Sequence, residues 1–227
     1  ISGAGNNLWI AQQGNASPTG SLTVSGTLNY NGQVQMSTFQ NAGTSPSSSL
    51  NIDGGTVFID SNLQMTAGGA STNASATLSL SNGGTISGLN SIITGNGVNT
   101  FNLTLTSTGI DVVNTSGALT LGVGGNNILN VDLLPYNFAN GATVDLFSFS
   151  SASGPWSSVN INGFGLGSVS LGTPSSTSFT AGQVEGDFVV TANSIFLDNL
   201  VVVPEPSALA LLGVGLGLIA AARRRIR

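Results

Sequence analysis

The strongest constraint on this chain is that it repeats itself. Ser21-Leu22-Thr23-Val24-Ser25-Gly26-Thr27 returns as Ser49-Leu50-Asn51-Ile52-Asp53-Gly54-Gly55-Thr56, and again as Thr77-Leu78-Ser79-Leu80-Ser81-Asn82-Gly83-Gly84-Thr85. Leu22, Leu50 and Leu78 lie 28 residues apart. A shorter strand precedes each copy, at Leu8-Trp9-Ile10, Val34-Gln35-Met36 and Leu63-Gln64-Met65, with spacings of 26 and 29. A degenerate fourth unit reads at Phe101-Asn102-Leu103-Thr104-Leu105, and a fifth at Leu119-Thr120-Leu121.

Each unit alternates apolar and polar residues, so Leu22 and Val24 share one face while Thr23 and Ser25 share the other. One unit cannot bury its apolar face alone. Stacking the next unit at about 4.8 Å puts Leu22, Leu50 and Leu78 in a column and pairs the backbones in parallel. The expected fold is therefore all-β, a right-handed parallel β-solenoid (β-helix), with the hand taken from the general preference of parallel crossovers. An antiparallel sandwich would explain short strands and regular turns, but not the return of the same tripeptide types. Ser25, Asp53 and Asn82 precede the turn glycines and read as Asx- or Ser-type turn residues.

The solenoid is expected over 1–125. From Asn126 the repeat dissolves and aromatic residues gather, with strand-like runs at 142–150, 183–191 and 194–203. A solenoid end exposes apolar side chains and unpaired backbone, so 126–203 reads as a capping β-domain. Its aromatics read as core, with Tyr136 and Trp156 as the candidates for contact with a glycan. The remaining 204–227 forms a separate terminal segment. The chain opens at Ile1 with no charged, apolar and small-residue leader, as a fragment or a mature form would.

Charge narrows the chemistry. Only 6% of residues are charged, and His, Cys and Lys are absent. That removes disulfides, zinc sites, thiol nucleophiles, Ser-His dyads and Schiff bases. The four cations are Arg223, Arg224, Arg225 and Arg227, so the body has nothing to displace counterions from phosphates, and no nucleic acid partner is expected. No cofactor or metal is expected either, since Asp53, Asp60 and Asp111 do not recur at one repeat position. Polysaccharide lyases need a cationic group for the substrate carboxylate, which this body lacks. Glu185 and Asp187 could share a strand face as a two-carboxylate pair, but Gly186 between them points to a bulge. The chain is not expected to be an enzyme.

The carboxy-terminal segment has three parts in order. Pro204-Glu205-Pro206 is followed by an uncharged apolar run at 207–222, then by the arginine cluster. The run includes Ala208, Leu209, Leu211, Leu212, Val214, Leu216, Leu218 and Ile219. As a helix of sixteen residues it rises about 24 Å, a short membrane span whose terminal arginines would snorkel to the cytoplasmic interface. The prolines end the preceding strand.

This tripartite tail resembles the PEP-CTERM sorting signal of exported bacterial proteins. The resemblance implies recognition by an exosortase-type processing enzyme, with cleavage near Pro204-Glu205-Pro206. It also implies anchoring in the membrane by the C-terminal helix before processing, then a place on the cell surface or in the extracellular matrix. The family is associated with bacteria that export polysaccharide and form biofilms. The repeats resemble those of autotransporter passenger-like surface proteins, of which Leu50-Asn51-Ile52-Asp53-Gly54-Gly55-Thr56 is the closest copy here. The expected role is structural or adhesive, with exopolysaccharide as a partner. The alternative is a carbohydrate-binding or carbohydrate-active β-helix protein.

Overall fold

The computed structural model describes residues 2–4, 7–11, 17–37, 45–66, 73–105, 112–133, 138–163, 168–171 and 176–203. Two strands open it, β1 (Ser2–Ala4) and β2 (Asn7–Ile10). Five coils of three strands follow. The first is β3 (Thr19–Val24), β4 (Thr27–Tyr30) and β5 (Gln33–Met36); the second is β6 (Ser47–Asp53), β7 (Thr56–Ile59) and β8 (Asn62–Met65). The third is β9 (Ser75–Ser81), β10 (Thr85–Leu89) and β11 (Ser91–Thr94); the fourth is β12 (Val98–Thr104), β13 (Val112–Thr115) and β14 (Ala118–Thr120). The fifth is β15 (Asn126–Asp132), β16 (Ala142–Ser148) and β17 (Ser151–Ser153). After it come β18 (Ser158–Asn162), β19 (Ser168–Ser170), β20 (Thr177–Ala181), β21 (Val184–Val190) and β22 (Ser194–Val202).

Each coil gives one strand to each of three sheets. The first sheet runs β3-β6-β9-β12-β15-β18, the second β4-β7-β10-β13-β16, and the third β2-β5-β8-β11-β14-β17, all in parallel. The molecule is a β-solenoid, as the repeat predicts.

The leucine column is present. Leu22 pairs with Leu50, Leu50 with Leu78, Leu78 with Phe101, Phe101 with Leu129, and Leu129 with Val159. A second column runs Val24, Ile52, Leu80, Leu103, Val131 and Ile161. From Leu50 onward every member of the first column is at most 1% exposed. Full burial of one such side chain contributes about 1.5–3 kcal/mol, so continuous columns supply the drive that a nearly chargeless chain cannot draw from ion pairs.

The stretch from the inward Val24, Ile52 or Leu80 to the second sheet's strand lengthens coil by coil. It holds Ser25-Gly26 in the first coil, Asp53-Gly54-Gly55 in the second and Ser81-Asn82-Gly83-Gly84 in the third. This explains why Val24 and Ile52 are 28 apart while Thr27 and Thr56 are 29 apart. The last glycine of the turn lies against the coil below: a Cβ on Gly55 would sit 2.6 Å from the Val24 carbonyl oxygen, and one on Gly84 2.4 Å from that of Ile52.

Two expectations need correction. The boundary at 125 falls inside the stack, because β15, β16, β17 and β18 continue the parallel ladders. The fifth repeat is also not Leu119-Thr120-Leu121, which lies at the end of the fourth coil with Leu119 paired to Ile92. Its place is taken by Ile128-Leu129-Asn130-Val131-Asp132. The third coil closes through the short Gly95-Asn96-Gly97 connection, so Leu78 and Phe101 are only 23 apart and the 28-residue rhythm is lost there.

Antiparallel strands stand at both ends. β1 lies on β2, β19 lies on β18, and β22, β21 and β20 extend the second sheet outward from β16. The expected hydrophobic helix lies outside the described residues. Among the described residues no helix is long and apolar enough to cross a membrane.

Candidate functional site

The outer face of the first sheet is a register of amides and hydroxyls. Alternation that sends Leu22 and Val24 inward sends Ser21 and Thr23 outward, and parallel pairing repeats that choice in every coil. Thr23, Asn51, Ser79, Asn102, Asn130 and Asn160 therefore form one outward column. Within it Asn160 Nδ2 donates to Asn130 Oδ1 at 2.8 Å, Asn130 Nδ2 to Asn102 Oδ1 at 2.8 Å, and Asn102 Nδ2 to Ser79 Oγ at 3.2 Å. In the adjoining column Ser49 Oγ donates to Ser21 Oγ at 2.8 Å.

The ladder fixes each amide but does not exhaust it. An amide carries two N–H donors and an oxygen with two lone pairs. One hydrogen of Asn130 and one lone pair go to the ladder, and the second of each can meet an outside group. A sugar hydroxyl is both donor and acceptor, so it suits such a pair. Alongside runs a groove of about 370 Å³ whose lining includes Ser79, Asn102, Asn130, Asp132 and Asn162.

A second polar array is internal and was missed in the sequence. Thr66 Oγ1 donates to Asn99 Oδ1 at 2.8 Å, and one coil further Thr94 Oγ1 donates to Asn127 Oδ1 at 2.8 Å. Asn99 Nδ2 donates to the Gly95, Gly97 and Asn127 oxygens, and Asn127 Nδ2 to the Gly122 and Pro155 carbonyls. Ser37 at the end of the first coil and Ser48 in the second hold the same corner, with their hydroxyls 2.7 Å apart. Asn99 and Asn127 are fully buried, so the array staples the corner rather than meeting a ligand. The available signal was Met36-Ser37 and Met65-Thr66, hydroxyl residues at matching places that both adopt positive φ.

Acidic residues are handled individually. Asp53 accepts from Ser81 Oγ at 2.9 Å and from Asn82 Nδ2, both in the next coil, rather than from its own turn. Those bonds, that from Asn82 foremost, hold its carboxyl below the ordinary aspartate range. Asp187 accepts from Ser178 Oγ at 2.6 Å and from Asn199 Nδ2 at 2.9 Å, and Ser178 is the larger cause of its lowered pKa. Asn199 takes φ of 51° at the β21–β22 register shift, the bulge expected near Gly186. Glu185 and Asp187 both line an open cleft of about 430 Å³. Among the described residues no group of three acids could hold a metal ion.

Trp156 is not a glycan platform. It is 5% exposed, its ring centroid 5.4 Å from Phe101 and 5.9 Å from Phe147, while those two lie 5.7 Å apart edge-on. The fifth coil continues the stack, so the Gly154-Pro155 turn delivers the indole to the core. Tyr136 lies outside the described residues. So do Pro204, Glu205 and Pro206, the apolar run and the arginine cluster.

Together these features define a parallel β-solenoid with a stapled interior corner and an outer amide–hydroxyl register. Residues 202–225 match the family model of the PEP-CTERM protein-sorting motif. The chain therefore carries this motif, which implies export and membrane-associated sorting through an exosortase. No curated protein and no solved structure matches the chain.

Proposed function

We propose that this chain is an exported bacterial protein of the cell surface or extracellular matrix, with a structural and adhesive role rather than a catalytic one. The apolar run at 207–222 holds it in the membrane until an exosortase-type enzyme cuts near Pro204-Glu205-Pro206. The released solenoid then offers its first sheet to neutral exopolysaccharide. The sorting motif at 202–225 is the observation that carries this reading. The ordered amides of Asn102, Asn130 and Asn160 support its adhesive part, because many weak hydrogen bonds in register suit multivalent contact with an uncharged polymer. The non-catalytic part draws support from the lack of His, Cys and Lys in the chain, which leaves no imidazole, thiol or amine for acid–base or nucleophilic chemistry.

Mass spectrometry of the protein isolated from its cells tests the sorting. A mature C-terminus between 203 and 206 is expected, and an intact arginine tail would overturn the processing. Affinity electrophoresis in neutral exopolysaccharide tests the adhesion. Retardation that falls in an Asn102→Ala, Asn130→Ala, Asn160→Ala variant is expected, and equal migration with and without polymer would overturn it.

A further inference from the structure

The sorting motif and the folded body share residues. The match begins at residue 202, yet Val202 is the last residue of β22 and pairs with Val184 on β21. One residue further, Val203 N donates to the Gln183 carbonyl at 2.7 Å. Pro204 has no N–H to carry the ladder on. With 207–222 in the membrane, as proposed above, only Pro204-Glu205-Pro206 separate it from Val203, about 11 Å at full stretch. An enzyme seated in the bilayer therefore meets the motif where its first residues still belong to a sheet.

That end of the sheet is held on one side only. β22 is flanked on both sides as far as Leu200, which pairs with Ala142 on β16 and whose carbonyl accepts from Gly141 N at 2.8 Å. Beyond Leu200, among the described residues, only β21 holds it. Burial changes at the same point: Leu200 is fully buried, Val201 and Val203 are half-buried, and Val202 is 36% exposed. Peeling 201–203 from β21 exchanges a few edge hydrogen bonds for water and leaves the core closed behind Leu200. We propose that residues 201–203 are a surface that the exosortase-type enzyme itself engages, and that cleavage proceeds through a form in which this strip has peeled from β21, with Leu200 as the stop. The proposal rests on the processing read from the motif. A backbone N–H paired with Gln183 cannot also pair in an enzyme's cleft, whereas a peeled strip is the extended form that such clefts bind through the main chain. The cleavage rate then follows the population of the peeled form.

The test follows the full chain in its own cells by pulse–chase, with mass spectrometry of the C-terminus. Inserting Gly-Ser-Gly-Ser-Val-Val between Val203 and Pro204 keeps two valines before the motif prolines but frees them from β21, and should speed cleavage about threefold or more. A Val184→Cys, Val202→Cys pair, in a chain with no other cysteine, joins opposed residues of β21 and β22. Its disulfide, formed in the oxidising compartment outside the cytoplasm, should slow cleavage about tenfold or more relative to either single variant. Circular dichroism of each purified precursor should match the parent's, which separates slowed cleavage from misfolding. A parent chain that is processed while the inserted or the cross-linked chain keeps its rate overturns this proposal and leaves the sorting intact. A parent chain that retains its arginine tail overturns both.

Discussion

Asn99 and Asn127 stand one above the other in the buried corner, with Asn99 Nδ2 donating to Asn127 Oδ1 at 3.2 Å. Asn127 Oδ1 accepts from the buried Thr94 Oγ1 as well, so removing the amide takes a partner from two buried side chains at once, Thr94 and Asn99. Each group left unpaired costs about 1–3 kcal/mol. Asn127→Ala is therefore expected to lower unfolding stability by about 3 kcal/mol or more. Asn130→Ala removes a chemically similar residue from the wetter outer ladder and should cost about 1 kcal/mol or less. Urea titration of the two variants checks the contrast, and equal losses would refute the distinction between staple and display face.

Gly26, Gly55 and Gly84 end equivalent turns but face different surroundings. A Cβ on Gly84 would meet the Ile52 carbonyl at 2.4 Å, whereas one on Gly26 would find nothing within 4 Å. Gly84→Ala should cost about 1–3 kcal/mol as the backbone of one coil is pushed off the next. Gly26→Ala removes only the unfolded chain's extra freedom and should be neutral or stabilising by up to about 1 kcal/mol. Thermal melts of the pair suffice as the check.

The fold was legible where identical side chains met. Leu22, Leu50 and Leu78 repeat because each must fit the same hole above and below, so sequence spacing reported contact directly. It failed where contact was kept with different chemistry. The Leu78 position passes to Phe101, and the short Gly95-Asn96-Gly97 connection shifts the count, so the sequence rhythm breaks before Asn126 although the stack continues through Asn162. Aromatics gathering there signalled a change of core filling, not a change of fold. The outer amide column was only generically legible, as hydroxyl- and amide-rich faces. The inner staple was not, because buried and exposed asparagines look alike in a chain so rich in them. The sorting motif was legible because its order of proline-acid-proline, apolar run and arginines needs no tertiary context.

Trp156 offers a direct check on the corrected boundary. Its packing against Phe101 and Phe147 joins the fourth and fifth coils into one core. Trp156→Ala is expected to cost about 3–5 kcal/mol, the range for deleting a buried aromatic. In a Trp9→Phe background the remaining indole should emit at short wavelength and resist iodide quenching. A red-shifted, freely quenched signal would return Trp156 to the surface.

Acid should weaken this protein through identifiable carboxylates. Asp53 and Asp187 have pKa values lowered by their hydrogen-bond donors, Asn82 and Ser81 for the first, Ser178 and Asn199 for the second. A group whose folded pKa is depressed contributes stability that is present above its unfolded value, about 3.9, and is lost as pH falls through the folded value. Stability should therefore decline below about pH 4, and an Asp53→Asn, Asp187→Asn variant should start lower at neutral pH yet decline less steeply. Solubility adds a second reading. The sequence pI is about 4.1, and every cation lies at or beyond Arg223. Below the pI the intact chain regains net positive charge from four arginines, whereas a form cut near Pro204-Glu205-Pro206 loses them and keeps no basic side chain. The unprocessed protein is expected to be least soluble near pH 4 and to redissolve at lower pH. The processed protein, whose pI falls below the intact chain's, is expected to stay soluble at pH 4 and to lose solubility only at lower pH. Light scattering across an acid titration of both forms measures this, and identical curves would contradict the charge distribution argued for the mature solenoid.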